Sequence, residues 1–210
     1  MPLDWKSMPL RARRARGGPF IGKPALVASM FIAYLIGAGV APFLSEGQRP
    51  NFVGGVLALY LLISGVMTAR RRPFRAGTAE RVGVVVAILI TSMGILFAYL
   101  GANDPSGTID GSPPQAFYLF TIVGSVALGG EINALVRGQL SEVARKMRHL
   151  WRMCVSFFIA SGSLFLGQPQ IFPEWFNASL LPAMLAFAPI LVMLVVLSKI
   201  GAARFKSSFN

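Results

Sequence analysis

The chain has one cysteine, one histidine and only eight acidic residues in 210. A lone Cys154 excludes an internal disulfide, a CxxCH haem attachment and a thiolate metal cluster. Its place inside an apolar stretch suits a small buried hydrophobe. His149 cannot supply both axial ligands of a bis-histidine haem, and with Glu131 it makes at most two of the three or four ligands that a metal site needs. A membrane-embedded serine hydrolase requires Ser and His buried together, and His149 lies too near the edge of its apolar stretch. There is no glycine-rich phosphate loop and no internal repeat of the kind many transporters are built from. The expectation is a protein with no catalytic residue, no metal site and no cofactor.

Apolar residues are what the chain has in abundance. They make up 54 % of it, against 13 % charged, and they fall in six blocks: Pro24–Leu44, Phe52–Thr68, Val82–Leu100, Ala116–Leu135, Leu150–Gly167 and Leu180–Ile200. Most are long enough, or nearly so, to cross a hydrocarbon core of about 30 Å as a helix rising about 1.5 Å per residue. The net charge of +12 is distributed asymmetrically. Lys6 to Lys23 precede the first block. Arg70, Arg71, Arg72, Arg75 and Arg81 follow the second, Arg137 to Arg152 surround the gap before the fifth, and Lys199, Arg204 and Lys206 close the chain. The alternate loops hold Arg49 alone, with Glu46, Asp104, Asp110 and Glu174. This pattern is a topology signal rather than a nucleic-acid footprint, and it puts both termini in the cytoplasm. Partners expected on this ground are the bilayer, anionic lipid at the basic face, and other membrane subunits, with no nucleic acid.

The fold class that follows is all-α, a polytopic bundle of six transmembrane helices. Residues 1–19 form a basic cytoplasmic tail, 20–200 the transmembrane domain and 201–210 a short second tail. The first block reads as a retained signal anchor, because Leu26–Val40 is long for a signal peptide and Pro42 should block cleavage after Ala41. Its small residues recur every fourth position, at Ser29, Ala33, Gly37 and Ala41, which makes a smooth stripe for close helix approach. Ser125 and Gly129, and Ser156 and Ala160, repeat the spacing in shorter form. The loop 101–115 holds Asp104 and Asp110, whose number and spacing fit solvated turns better than a calcium site. Phe172, Trp175 and Phe176 sit where an outer aromatic belt is expected, with Trp151 on the inner side. Pro189 falls inside the last helix and should kink it.

One polar constellation interrupts the apolar blocks, and intramembrane ionisable residues are where function is sought. Glu131 lies about 9 Å inward from Arg137 along the fourth helix. Arg152 lies at a comparable depth on the fifth, and a short cytoplasmic loop makes the two helix ends neighbours. Arg148 and His149 lie on nearby faces. Two readings stand. In one, Glu131 and Arg152 are a buried ion pair that docks two helices. In the other, Glu131, His149 and Arg152 form a proton or ligand site.

The stretch Arg148-His149-Leu150-Trp151-Arg152-Met153-Cys154, continuing through Phe157 to Gln168, resembles a signature of a group of uncharacterised bacterial multi-pass inner-membrane proteins. The resemblance extends to the Arg-rich Ala69–Pro73 segment and to an acidic residue at Glu131. It implies an architecture and no catalytic activity. Members of that group begin with an additional apolar helix and carry a His-Arg pair before the helix that matches the first block here. Around Phe20–Lys23 there is no histidine. This chain therefore looks like a shortened, histidine-poor member, suited to a non-catalytic accessory or scaffold role, for instance as a subunit of a respiratory or photosynthetic complex. A small proton-linked carrier, and a membrane protein binding haem or pigment through His149 alone, are the alternatives.

Overall fold

The computed structural model describes residues 49–207 together with Ala28, Ser29, Ile32, Ala33 and Ile36. Five long helices follow one another: α1 (Arg49–Arg70), α2 (Thr78–Asn103), α3 (Ala116–Arg137), α4 (Glu142–Phe165) and α5 (Leu181–Ser207). A 3-10 turn at Pro169–Ile171 and a single-turn helix at Glu174–Asn177 link α4 to α5. Among the described residues no strand occurs, only the isolated bridges Arg75 to Gln139 and Ile109 to Ser112. Among the described residues four helices are long and apolar enough to cross a membrane: α1, α2, α3 and the Leu181–Ile200 part of α5. The fifth apolar block lies on α4, which begins earlier, at Glu142, and carries three buried arginines. Those charges keep α4 out of that set. The last helix continues past Ile200 to Ser207, through part of the segment expected as a tail. The basic tail 1–19, most of the Pro24–Leu44 block, Gly37, Ala41 and Glu46 lie outside the described residues.

Helices α2 and α3 pack along a seam with alternating steps of four and three. On α2 the buried positions are Glu80, Gly83, Ala87, Ile90, Gly94 and Gly101; on α3 they are Phe117, Phe120, Gly124, Ala127, Glu131 and Ala134. That is the 3.5-residue period of a left-handed coiled-coil seam. The contacts are reciprocal. A Cβ added at Gly94 would come within 2.6 Å of Thr121 Oγ1, and one at Gly124 within 2.6 Å of Thr91 Oγ1. Each glycine thus makes room for a threonine of the other helix, the small-residue device by which membrane helices approach closely. The stripe expected on this helix is displaced by one position. Ser125 and Gly129 are exposed, and a Cβ at Gly129 would meet nothing within 4 Å. One residue along a helix is about 100° of rotation, enough to turn a stripe from the seam to the outside.

The other seam, α1 against α4, is of a different chemistry. Val53, Leu57, Leu61, Gly65 and Thr68 of α1 are buried, and opposite them lie Arg145, Arg148, Arg152, Val155 and Ser156 of α4. The Ser156 hydroxyl donates to the Ala58 carbonyl at 2.8 Å. Helix α5 leans on the far half of α4, where the Ser161 hydroxyl donates to the Ala186 carbonyl at 3.0 Å and the rings of Phe158 and Phe187 lie 5.2 Å apart. The faces turned away from these seams carry Val85, Leu89 and Leu96 on α2, Ile122 and Val126 on α3, and Leu191, Val192 and Val195 on α5, all exposed.

The loop between α2 and α3 is ordered by its acidic residues. Asp104 accepts from the Ser106 hydroxyl at 2.6 Å and from its backbone N–H at 2.8 Å, which hold its carboxyl below the usual range. Asp110 is not simply solvated: it accepts the Arg49 backbone N–H at 2.9 Å and pairs with the Arg49 side chain at 3.3 Å. Asp110 and Gly111 both have positive φ, 50° and 72°, between the mutually bonded Ile109 and Ser112. Asp-Gly at the centre of such a two-residue turn is the expected chemistry. This turn anchors the first N–H of α1.

Candidate functional site

Glu131 stands on the buried face of α3, in the α2–α3 seam, opposite Gly83. A Cβ at Gly83 would lie 2.6 Å from Glu131 Oε1, so the carboxylate occupies room that only a glycine leaves. The Glu131 side chain is 1 % exposed. Its Oε2 accepts from Arg148 Nη2 at 2.6 Å. Its Oε1 accepts from the Tyr60 hydroxyl at 2.7 Å and faces Arg152 Nη1 at 2.9 Å. One carboxylate of α3 is therefore held by α1 through Tyr60 and by α4 through two arginines, Arg148 and Arg152 spaced one turn apart on the same face.

The two guanidiniums are held differently. Arg148 also donates from Nη1 to the Gly130 carbonyl at 2.8 Å and from Nε to Thr68 Oγ1 at 3.3 Å. Arg152 is fully buried, with the ring centroids of Tyr60 and Trp151 5.7 and 5.5 Å from its guanidinium. Its approach to Glu131 is close but not directed along an N–H. None of Nε, Nη1 and Nη2 makes a hydrogen bond to an acceptor among the described residues. Its tie to Glu131 is Coulombic, supplemented by two aromatic faces.

The loop 71–77 closes one end of this cluster. Phe74 is buried, with the Arg148 guanidinium 5.5 Å from its ring centroid. The loop is pinned to the α3–α4 connection by the Ala76 N–H to Gly138 carbonyl bond of 2.8 Å. Arg71 pairs with Glu80 at 2.9 Å, and Glu80 caps α2 by accepting the Gly77 N–H at 2.8 Å. At the start of α4, the Ser141 hydroxyl accepts the Ala144 N–H. Arg145 there pairs with Glu142 at 2.7 Å and donates to the Ala69 carbonyl at 3.1 Å.

Of the residues expected to form a site, Glu131 and Arg152 are brought together and His149 is not. The His149 ring turns to α1, where Nδ1 is bonded to the Gly65 carbonyl at 2.9 Å. A Glu131 site tuned by His149 is therefore corrected: the second basic partner of Glu131 is Arg148. Ser29 and Ala33 are helical and exposed. Tyr60, Thr68, Gly83 and Phe74 escaped sequence reasoning. Tyr60 left a faint signal as a phenol inside an apolar block. Gly83 and Phe74 left none, because their importance depends on what lies opposite. Among the described residues no group of three or more His, Cys, Asp and Glu is gathered for a metal. Comparison with protein-family models, curated proteins and solved structures finds no match to this chain.

Both oxygens of this buried carboxylate are engaged, and their partners lie on α1 and α4 while Glu131 itself stands on α3.

Proposed function

We propose that this protein is a non-catalytic accessory or scaffold protein of a bacterial inner membrane, with both termini cytoplasmic. The observation that carries the reading is the engagement of both Glu131 oxygens on a side chain 1 % exposed, Oε2 by Arg148 at 2.6 Å and Oε1 by Tyr60 at 2.7 Å, with Arg152 Nη1 at 2.9 Å. A carrier carboxylate must reach water on at least one side and change partners, whereas this one fixes the register of α1, α3 and α4. His149 is occupied by the Gly65 carbonyl through one ring nitrogen, which speaks for a helix tie rather than an axial ligand. The stretch that resembles the multi-pass membrane group, Arg148–Gln168, supplies the α4 half of the polar seam, so the likeness lies in how helices dock. Sidedness rests on the basic asymmetry. It is supported by the joining of the arginine-rich loop 71–77 to the α3–α4 connection at one end.

Purification in mild detergent, with mass spectrometry of co-purifying subunits and a visible spectrum, tests the function. A stoichiometric membrane partner and a colourless preparation are expected. A haem or pigment band moves the assignment to His149, and a partner-free protein that carries protons through Glu131 defeats the scaffold reading. Sidedness is tested on a Cys154→Ser background. A cysteine replacing Asp104 should react with an impermeant thiol reagent added from outside, and one replacing Arg72 should not.

A further inference from the structure

At the end of the bundle where loop 71–77 meets the α3–α4 connection, the described carboxylates are already taken. Glu80 pairs with Arg71, Glu142 with Arg145 and Lys146, and Glu131 with Arg148 and Arg152. Arg72, Arg75 and Arg137 are exposed at the same end and pair with no carboxylate among the described residues. The fold brings their two loops together. Arg75 is bridged to Gln139, just past Arg137 in the chain, and the Ala76 N–H is bonded to the Gly138 carbonyl between them. Arg137 is also steadied from below, since its Nε donates to Asn133 Oδ1 at 2.9 Å. Its terminal nitrogens remain for another acceptor. Inward from Arg137, α3 carries Val136, Gly129, Val126 and Ile122, all exposed and at the spacing of one helix face. A Cβ added at Gly129 would meet nothing within 4 Å, so this strip is open along its length.

We infer that this place seats one anionic phospholipid, its phosphate on Arg75 and Arg137 with Arg72 beside them, and an acyl chain along the α3 strip. Guanidinium forks suit phosphate oxygens, and the strip below them is apolar where a lipid tail would run. Charge alone would spread anionic lipid over every exposed cation of the basic face, Arg81 of α2 and Lys199 of α5 included. The seat differs because two joined loops hold its arginines above an apolar strip. An acidic protein segment or free phosphate would use the charges and leave the strip bare. The inference rests on the membrane placement proposed above and not on the scaffold role.

The test is thermal unfolding of the full chain in a neutral detergent with added phosphatidylglycerol, phosphatidylcholine or sodium phosphate. Phosphatidylglycerol should raise the midpoint saturably, by about 3–6 °C once it is tenfold above its Kd, and the other two should not. Arg75→Gln with Arg137→Gln should remove most of that rise. Arg81→Gln with Lys199→Gln takes away the same charge from exposed positions elsewhere and should leave it intact. Equal losses in the two double variants would mean that charge alone draws the lipid, and would overturn the seat. So would a rise with phosphate, or an Arg75, Arg137 variant that keeps the lipid response and loses a co-purifying protein subunit. A chain missing from the membrane fraction of cells would defeat the membrane placement itself.

Discussion

The two long seams of this bundle solve the same problem by opposite means. Along α2–α3, Gly83, Gly94 and Gly124 remove side chains so that backbones approach and threonines fill the gaps. Along α1–α4, large charged side chains fill the interface, with Arg145, Arg148 and Arg152 all buried. In lipid, apolar burial gives helices little reason to associate, which leaves close packing or polar contacts as the adhesive. A glycine seam is tolerant of solvent but strict about volume. A guanidinium–carboxylate seam is loose about volume but fails when its charges lose their balance. Glu131 belongs to both, since it sits in the groove left by Gly83 and binds the arginines of α4.

The largest expected effect comes from that shared residue. Glu131→Gln leaves two buried guanidiniums without a counter-charge and should cost on the order of 3–5 kcal/mol, read as a lower melting temperature in detergent. Arg152→Met should cost clearly less, because Glu131 keeps Arg148 and Tyr60. A simple two-residue pair would recover in the Glu131→Gln, Arg152→Met double mutant. Here Arg148 remains orphaned, and recovery should need Arg148→Met as well. Equal losses in the two single mutants, with full recovery in the double, would restore the simple pair.

The glycine seam is challenged by two alanines one turn and a fraction apart. Gly124→Ala drives a methyl into Thr91, 2.6 Å from its Oγ1, and should cost about 1–3 kcal/mol. Gly129→Ala, with nothing within 4 Å, should be neutral or gain up to about 1 kcal/mol of helix propensity. If Gly129→Ala proves the more damaging of the two, the seam lies one residue over, where the small-residue spacing placed it.

A smaller effect of opposite sign is expected at Thr91, whose Oγ1 is buried without a hydrogen-bond partner among the described residues. Thr91→Val keeps the shape and removes the unsatisfied hydroxyl, so the melting temperature should stay level or rise, by no more than about 1 kcal/mol in stability. A clear loss would show that the hydroxyl is itself an adhesive of the seam.

The least effect belongs to the exposed loop. Asp104 holds its proton less readily when folded than when unfolded, because Ser106 donates to the carboxylate. Its contribution is present above the unfolded pKa and disappears as pH falls through the lowered folded value. Asp104→Asn should therefore trim the difference in melting temperature between neutral and acidic solution. An unchanged acid limb would show that the turn holds without its charge.

The sequence by itself determined the helical, membrane-compatible character of the chain, because blocks of apolar residues separated by charged or Gly-Pro-rich loops have few other outcomes. It also brought Glu131 and Arg152 under suspicion, since charges inside apolar blocks are costly enough to be noticed one by one. It did not determine which face of each helix meets which neighbour. Ser125 and Gly129 have the right spacing and are exposed, while the small residues buried on this helix are Gly124, Ala127 and Ala134. Arg148 and His149 are adjacent in sequence, and only the rotation of α4 sends one to Glu131 and the other to Gly65. Spacing along a chain fixes the angle between residues on one helix. The angle at which that helix faces its partners is a property of all the contacts at once, and here the tertiary structure decided it by closing α1, α3 and α4 around a single carboxylate.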